Sequence, residues 1–299
     1  MSSSVGVIGL GIMGSAMAAN LMRAGYRVIG YDVLAKRRRE HERAGGQAAL
    51  DCRQVASHAA IVISSLPSSE ALRRTAEDLA DAPKRPQIVV EASTLPIAVK
   101  EAARRRLGAR GTILLDCPLS GTGSQARAKD LVVYASGDRR AYRRVAPILD
   151  AVARAHYHVG AFGAGSKMKF VANLLVAIHN VAAAEAIVLA RKAGLDPAMV
   201  VKVIGDGAGS SRMFEVRAPM MVKGDYSHAL MKLDVWQKDM TTIADFARGV
   251  GSPTPLFSAT APIYAAAVAS GRGSEDTGAV CAVLEEMGVR GKLKVRRSK

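Results

Sequence analysis

The sequence predicts an α/β protein: an N-terminal parallel sheet covered by helices on both sides, then one long helix, then an all-α C-terminal domain. Three observations predict it. From Val5 to about Val159, short β-rich runs alternate with amphipathic stretches, the rhythm of βαβ units. Beyond Gly160, Gly163 and Gly165 only helical periodicity remains. The first β-rich run ends in a glycine cluster that opens straight onto a helix-forming stretch.

Taken in order, strands are expected at residues 5–8, 27–31, 60–64, 87–91, 112–115, 131–135 and 155–159. Most are apolar on both faces, as a sheet covered on both sides requires. An uninterrupted helix then runs from residue 166 to about 193, roughly 40 Å at 1.5 Å per residue, enough to bridge two domains or two subunits. Gly194 ends it, and Asp196-Pro197 supplies an N-cap and a first-turn proline for the next helix. Further helices are expected around 240–248, 261–270 and 277–287, separated by Gly and Pro clusters. The domain scheme is therefore 1–162 for the sheet domain, 163–193 for the connecting helix, 194–290 for the helical domain and 291–299 for a basic tail.

At 299 residues the chain can bury a sizeable core without disulfide or metal staples, which excludes peptide toxins, zinc knuckles and small signalling modules. With 49% apolar and 23% charged residues it is neither disordered nor fibrous. The longest apolar tract, 170–190, is broken by Asn173, His179, Asn180 and Glu185, so no membrane span is expected. Met1-Ser2-Ser3-Ser4-Val5-Gly6 lacks the features of a secretory signal, and a cytoplasmic protein is expected. Cys52, Cys117 and Cys281 stand far apart and the histidines show no H-E-x-x-H spacing, so neither disulfides nor a metal site are expected. His156 and His158 read as one solvent face of an edge strand. The charge, 42 basic against 26 acidic or +16, is the one oddity. Its clusters at 36–39, 104–106, 139–144 and 290–299 are scattered and aromatics are only 4%, so it reads as solvated helix faces and not as a nucleic-acid site.

Gly9-Leu10-Gly11-Ile12-Met13-Gly14 follows the first strand and opens a helix whose apolar positions include Ala16, Met17, Leu21 and Met22. Glycines at this spacing allow a tight turn, close approach of a pyrophosphate and close helix packing, while the helix N-terminus attracts phosphate. Asp32, 18 residues beyond Gly14, ends the second strand, where a carboxylate would accept ribose hydroxyls. Together these read as a dinucleotide site in a Rossmann domain. Asp32 repels a 2′-phosphate and so favours NAD over NADP. The cationic run Lys36, Arg37, Arg38 and Arg39 could accept such a phosphate by folding back, but reads as the exposed face of the next helix, about a turn away.

Four separated segments then carry a resemblance: the glycine motif with Met17, Ala18, Asn20 and Leu21; Asp116-Cys117-Pro118-Leu119-Ser120-Gly121-Thr122; Gly163-Ala164-Gly165 with Lys169 and Asn173; and Lys238-Asp239. In that order they resemble the β-hydroxyacid dehydrogenase family, which includes 3-hydroxyisobutyrate dehydrogenase, tartronate semialdehyde reductase and, more distantly, 6-phosphogluconate dehydrogenase. Read from the residues alone, Lys169 and Asn173 lie four apart on one helix face. The apolar Phe170, Val171, Leu174 and Leu175 around them predict a helix buried on much of its circumference. A lysine in a dry cleft can have its pKa lowered towards neutrality and exchange a proton with an alcohol. The resemblance assigns that role to Lys169, with Asn173 holding the hydroxyl or carboxylate. Ser120-Gly121-Thr122 follows the fifth strand at the ligand-binding edge of the sheet, where its N–H groups and hydroxyls can cradle a carboxylate. Thr122 replaces the family's usual second glycine and Ala172 the first member of its Asn-Asn pair, which bears on the shape of the substrate pocket.

By the same resemblance Leu66-Pro67 and Thr94 border the cofactor, Lys238 reaches it and Asp239 orients Lys238. The active site is then expected in the cleft between the two domains of a homodimer or homotetramer. The implied reaction is reversible hydride transfer between NAD and a small anionic hydroxy acid. The stretches Gly209-Ser210-Ser211-Arg212-Met213-Phe214, Met220-Met221 and Gly224-Asp225-Tyr226 look like the branch acting on four-carbon sugar acids such as threonate. Arg212 stands there either as a second anion contact or as a plain exposed arginine. Two rival classes share the implied fold: NADPH-dependent imine or semialdehyde reductases, and a non-enzymatic nucleic-acid-associated module. The imine reductases usually lack a lysine at the position of Lys169, and the known module has lost it.

Overall fold

The computed structural model describes residues 4–289, so the basic tail at 291–299 lies outside the described residues. The first half alternates as expected: β1 (Ser4–Ile8), α1 (Ile12–Arg23), β2 (Arg27–Tyr31), α2 (Ala35–Arg43), β3 (Gln47–Ala48), α3 (Cys52–His58), β4 (Ile61–Ser64), α4 (Ser69–Ala80), β5 (Ile88–Glu91), α5 (Ile97–Gly108) and β6 (Ile113–Asp116). The six strands form one parallel sheet in the order β3-β2-β1-β4-β5-β6. Side chains alternate along each strand, so two cores form. Val5, Val7, Ile63, Val90 and Leu115 join Met17 and Leu21 on one face. Ile8, Val62, Val89 and Leu114 join Val55, Leu72 and Leu107 on the other.

The next elements are β7 (Leu119–Ser120), α6 (Gly123–Arg127), β8 (Val132–Ala135), α7 (Arg139–Val152) and β9 (Ala155–His158). Here the structure corrects the sequence reading, because the last two expected strands do not extend the main sheet. They join β7 in a separate mixed sheet, β7-β8-β9, with β7 antiparallel to β8 and β8 parallel to β9. A single bridge between Asp116 and Ser136 links it to β6. Apolar periodicity identifies a strand but not its partner, and Pro118, which has no N–H to give a ladder, ends β6 before β7 begins. The histidine face of β9 is also corrected. Tyr157 points to solvent, whereas His156 and His158 turn inward, His156 accepting or donating at Nδ1 to the Tyr142 hydroxyl at 2.7 Å.

Helices make up the remainder: α8 (Ala164–Lys192), α9 (Pro197–Gly205), α10 (Arg212–Lys223), α11 (Leu233–Gly249), α12 (Pro255–Ala267) and α13 (Val280–Val289). Asp196 caps α9 through Ala198 N–H at 3.1 Å, with Pro197 in the first turn. Pro255, read as a breaker, instead opens α12, since a proline in the first turn sacrifices no helical hydrogen bond. The described residues divide into two compact units between Phe170 and Val171. By length and composition alone α8 could cross a membrane, unlike the sequence expectation. Its polar interruptions behave as those of a core helix: Asn173 donates to Asp239 of α11 at 3.1 Å, and Asn180 to the Tyr264 hydroxyl of α12 at 3.0 Å.

Candidate active site

The glycine loop sits at the C-terminal end of β1, and its three glycines do different things. Gly9 has φ +87°, and a Cβ there would fall 2.2 Å from the Ser65 carbonyl oxygen. A Cβ on Gly14 would fall 1.8 Å from the Gly9 carbonyl oxygen, so α1 could not approach the turn. Both are demanded by the fold. At Gly11 an added Cβ meets nothing nearer than the Arg37 guanidinium at 3.7 Å, so packing within the protein does not demand a glycine there. Gly11 is also the N-cap of α1, where no side chain caps the first N–H groups and no acidic residue stands in the first turn. That open, electropositive helix end, beside Leu10, Ile12 and Met13, fits a dinucleotide pyrophosphate.

Asp32 is 4% exposed at the end of β2. Its Oδ2 accepts the Leu10 N–H at 2.9 Å and its Oδ1 the Leu34 N–H at 2.9 Å, which fixes the glycine loop against the second strand. The basic run departs from expectation. Although α2 is largely exposed, Arg37 folds back to Asp32 Oδ2 at 3.1 Å, and Arg38 donates to the Asp32 carbonyl at 2.6 Å while lying over the Tyr31 ring. The helix starts only three residues after Asp32, so its first turn brings a long arginine within reach.

Leu66, Pro67 and Thr94, three of the other expected cofactor neighbours, follow β4 and β5 at the same sheet edge. Leu66 flanks Gly9, and its N–H donates to Ser93 Oγ at 2.7 Å, tying the loop after β4 to the loop after β5. Pro67 is exposed and Thr94 half-buried beside them. Ser120 and Gly121 follow β6 by way of β7, with Gly121 at φ +136° and Leu131 filling the space a side chain would need. Thr122 is otherwise engaged. Its hydroxyl accepts the Gln125 N–H and its own N–H donates to Gln125 Oε1 at 3.0 Å, a capping box for α6. Thr-x-x-Gln was visible in the sequence, and it diverts this threonine from the anion cradle expected of it.

Lys169 lies on the second turn of α8, 8% exposed. The helix around it is less enclosed than expected. Phe170 is buried, but Met168, Val171 and Leu175 form an exposed apolar stripe. One turn after Lys169, Asn173 is buried with its Nδ2 on Asp239 Oδ2, which leaves Oδ1 as its acceptor. Asp239 Oδ1 lies 3.4 Å from Lys238 Nζ, so Asp239 positions both Asn173 and Lys238, a double role that adjacent charges in a sequence do not reveal. Arg212 is a surface residue paired with Glu215 at 3.0 Å. The buried arginine of α10 is Arg217, held by Asp276 at 3.0 Å. The three cysteines are buried and free, and burial pushes the Cys52 thiol up to about 12.

Residues 4–160 match the family described as the NAD binding domain of 6-phosphogluconate dehydrogenase, and residues 163–284 that described as NAD-binding of NADP-dependent 3-hydroxyisobutyrate dehydrogenase. The L-threonate dehydrogenase of Cupriavidus necator is 35% identical, covering 98% of this chain and 99% of its own. Among solved structures, a 3-hydroxyisobutyrate dehydrogenase from Salmonella typhimurium is 33% identical with a TM-score of 0.85, over 94% of this chain and 100% of that one. One from Mycobacterium tuberculosis, with L-serine, is 29% identical with a TM-score of 0.85, over 95% and 99%. A glycine cradle shaped for a dinucleotide, a buried lysine one turn ahead of an oriented asparagine, and likeness along nearly the whole length lead to one assignment: the chain belongs to the β-hydroxyacid dehydrogenase family, NAD(P)-dependent oxidoreductases that act on a CH–OH group.

Proposed function

We propose that the protein oxidises the hydroxyl-bearing carbon of a small anionic hydroxy acid, of the four-carbon sugar-acid type represented by threonate, with NAD preferred. The observation that carries this reading is Lys169, buried on α8 one turn before an asparagine whose amide is oriented by a carboxylate. The nicotinamide supplies the hydride acceptor. Lys169 takes the hydroxyl proton in oxidation and returns it in reduction, while the second Nδ2 hydrogen of Asn173 donates to the hydroxyl oxygen. The N–H groups at Ser120 and Gly121 receive the carboxylate, with Thr122 shaping that turn. Gly9, Leu10, Gly11, Ile12, Met13 and Gly14 take the pyrophosphate, Asp32 the adenosine ribose, and Leu66, Pro67, Thr94 and Lys238 border the cofactor. The likeness to an L-threonate dehydrogenase supports the substrate class. The test is a panel of small hydroxy acids offered with NAD and with NADP and read by nicotinamide absorbance. Threonate-type acids should give the highest kcat/KM, and turnover of none of them would reject the reading.

Cofactor choice gives a sharper expectation. NAD should have the higher kcat/KM because Asp32 faces the ribose, but Arg37, already on that carboxylate, softens the exclusion of a 2′-phosphate. Arg37→Ala should lower kcat/KM with NADP by about tenfold, the worth of one charge-assisted hydrogen bond, and leave NAD within about twofold. A wild-type preference for NADP would show that Arg37, not Asp32, governs selection.

A homodimer or homotetramer is supported by apolar surface with no cover in the monomer. In α9 no residue is buried, and Leu195, Met199 and Val203 recur every four residues at 57%, 56% and 60% exposure. Met199→Glu with Val203→Glu should dissociate the assembly in sedimentation velocity; a wild-type monomer at micromolar concentration would count against it. The buried free thiols suit a reducing, cytoplasmic setting.

A further inference from the structure

Beneath the sheet edge lies a charged cluster for which the reaction as described has no use. Glu91 at the end of β5, Lys100 in α5 and Asp116 at the end of β6 are all 0% exposed. Lys100 Nζ stands 2.8 Å from Asp116 Oδ1 and 3.9 Å from Glu91 Oε1. Two carboxylates against one ammonium leave an excess negative charge in a dry site, which is costly unless something positive faces it. That something is the start of α8. Asp116 Oδ2 accepts the Ser166 N–H at 2.8 Å, and Oδ1 accepts the Ser166 hydroxyl at 2.8 Å. Ser136 Oγ donates to Asp116 Oδ2 at 3.2 Å and accepts the Gly165 N–H at 2.9 Å. Gly165 is itself wedged in, since a Cβ there would lie 2.2 Å from the Tyr134 carbonyl oxygen. A carboxylate borrowed from the sheet therefore caps the positive end of a 29-residue helix.

The other arm of the cluster points to the cofactor loops. Glu91 accepts from Ser64 Oγ at 3.2 Å and from the Ser93 N–H at 3.1 Å, and Ser93 Oγ in turn accepts the Leu66 N–H.

We propose that Asp116, held by Lys100, is a positioning residue for proton transfer: by gripping the third residue of α8 it sets where Lys169, three residues further on, presents its amine. The same cluster, through Glu91 and Ser93, fixes the loops after β4 and β5 to that reference. The proposal rests on the reading of Lys169 given above. A purely structural cluster would lower stability when damaged but leave the chemistry of the folded enzyme alone. A positioning cluster makes the chemical step sensitive to small displacements, because misplacement of a reacting group by about 1 Å can cost on the order of 10²-fold.

The test uses Ser166→Ala and Ser136→Ala, each of which removes one hydroxyl from Asp116 without stranding a buried charge, with Lys169→Ala beside them. All are assayed well below their melting transitions for kcat, substrate KM, NADH affinity and the pH profile of kcat. Ser166→Ala is expected to lower kcat about tenfold with substrate KM and NADH affinity within about twofold, and to displace the basic limb of the pH profile. If both serine variants keep wild-type kcat while Lys169→Ala is inactive, the cluster is structural and the positioning role is wrong. If Lys169→Ala itself retains wild-type kcat, the reading of Lys169 fails first and takes this proposal with it.

Discussion

Lys169→Ala is expected to lower kcat by about 10²–10⁴-fold, the usual worth of a positioned general acid or base. Alanine is a strong helix former, so α8 should keep its fold and lose only the amine. NADH affinity, followed by fluorescence titration, should stay within a few fold of wild type because the pyrophosphate and ribose contacts belong to the glycine loop and Asp32. Near-native kcat would remove lysine from the mechanism. Joint loss of activity and NADH binding, together with a collapsed melting transition, would show that the buried side chain holds the fold.

Lys100→Met should be the most damaging single change to stability, at about 3–5 kcal/mol, because it deletes the cation between two fully buried carboxylates while preserving chain length and volume. Against a total of about 5–15 kcal/mol for a typical protein, that is a large fraction. Urea unfolding measures the deficit, and a small one would contradict the picture. Arg106→Met is the contrast. Its bond to Asp81 is shorter, at 2.6 Å, but both partners are exposed and the loss should be minor.

Features signalled by local chemistry were legible in the sequence. Strands β1, β2, β4, β5 and β6 fall within a residue of expectation because each is an apolar run bounded by turn residues, and the glycine motif declares its own strand-turn-helix setting. The Asp196 cap of α9 belongs to the same class. What stayed hidden depends on partners distant in the chain. Two-residue strands such as β3 and β7 exist only because a neighbour pairs with them. Helix α10 was missed because Pro219 lies inside it and a Gly-Ser-Ser lead-in precedes it. Nothing within α5 sets Lys100 apart from an ordinary helix charge, because its partner Asp116 lies on another element. Asn173, Lys238 and the orienting of Lys238 by Asp239 came from a resemblance, but that Asp239 also holds Asn173 needed coordinates.

Strand β1 is synthesised before both of its neighbours, yet it lies inside the sheet, paired with β2 on one side and β4 on the other. Its second partner is complete only at Ser64. At about 5–20 residues per second, some 3–10 s of synthesis separate the two strands. During that interval Val5, Val7 and Ile8 have no finished core to enter, and one backbone edge of β1 stays open to pairing with other chains. Nascent β1 is therefore a segment on which a holding chaperone would act, and the yield of folded enzyme should depend on how quickly translation passes residue 64.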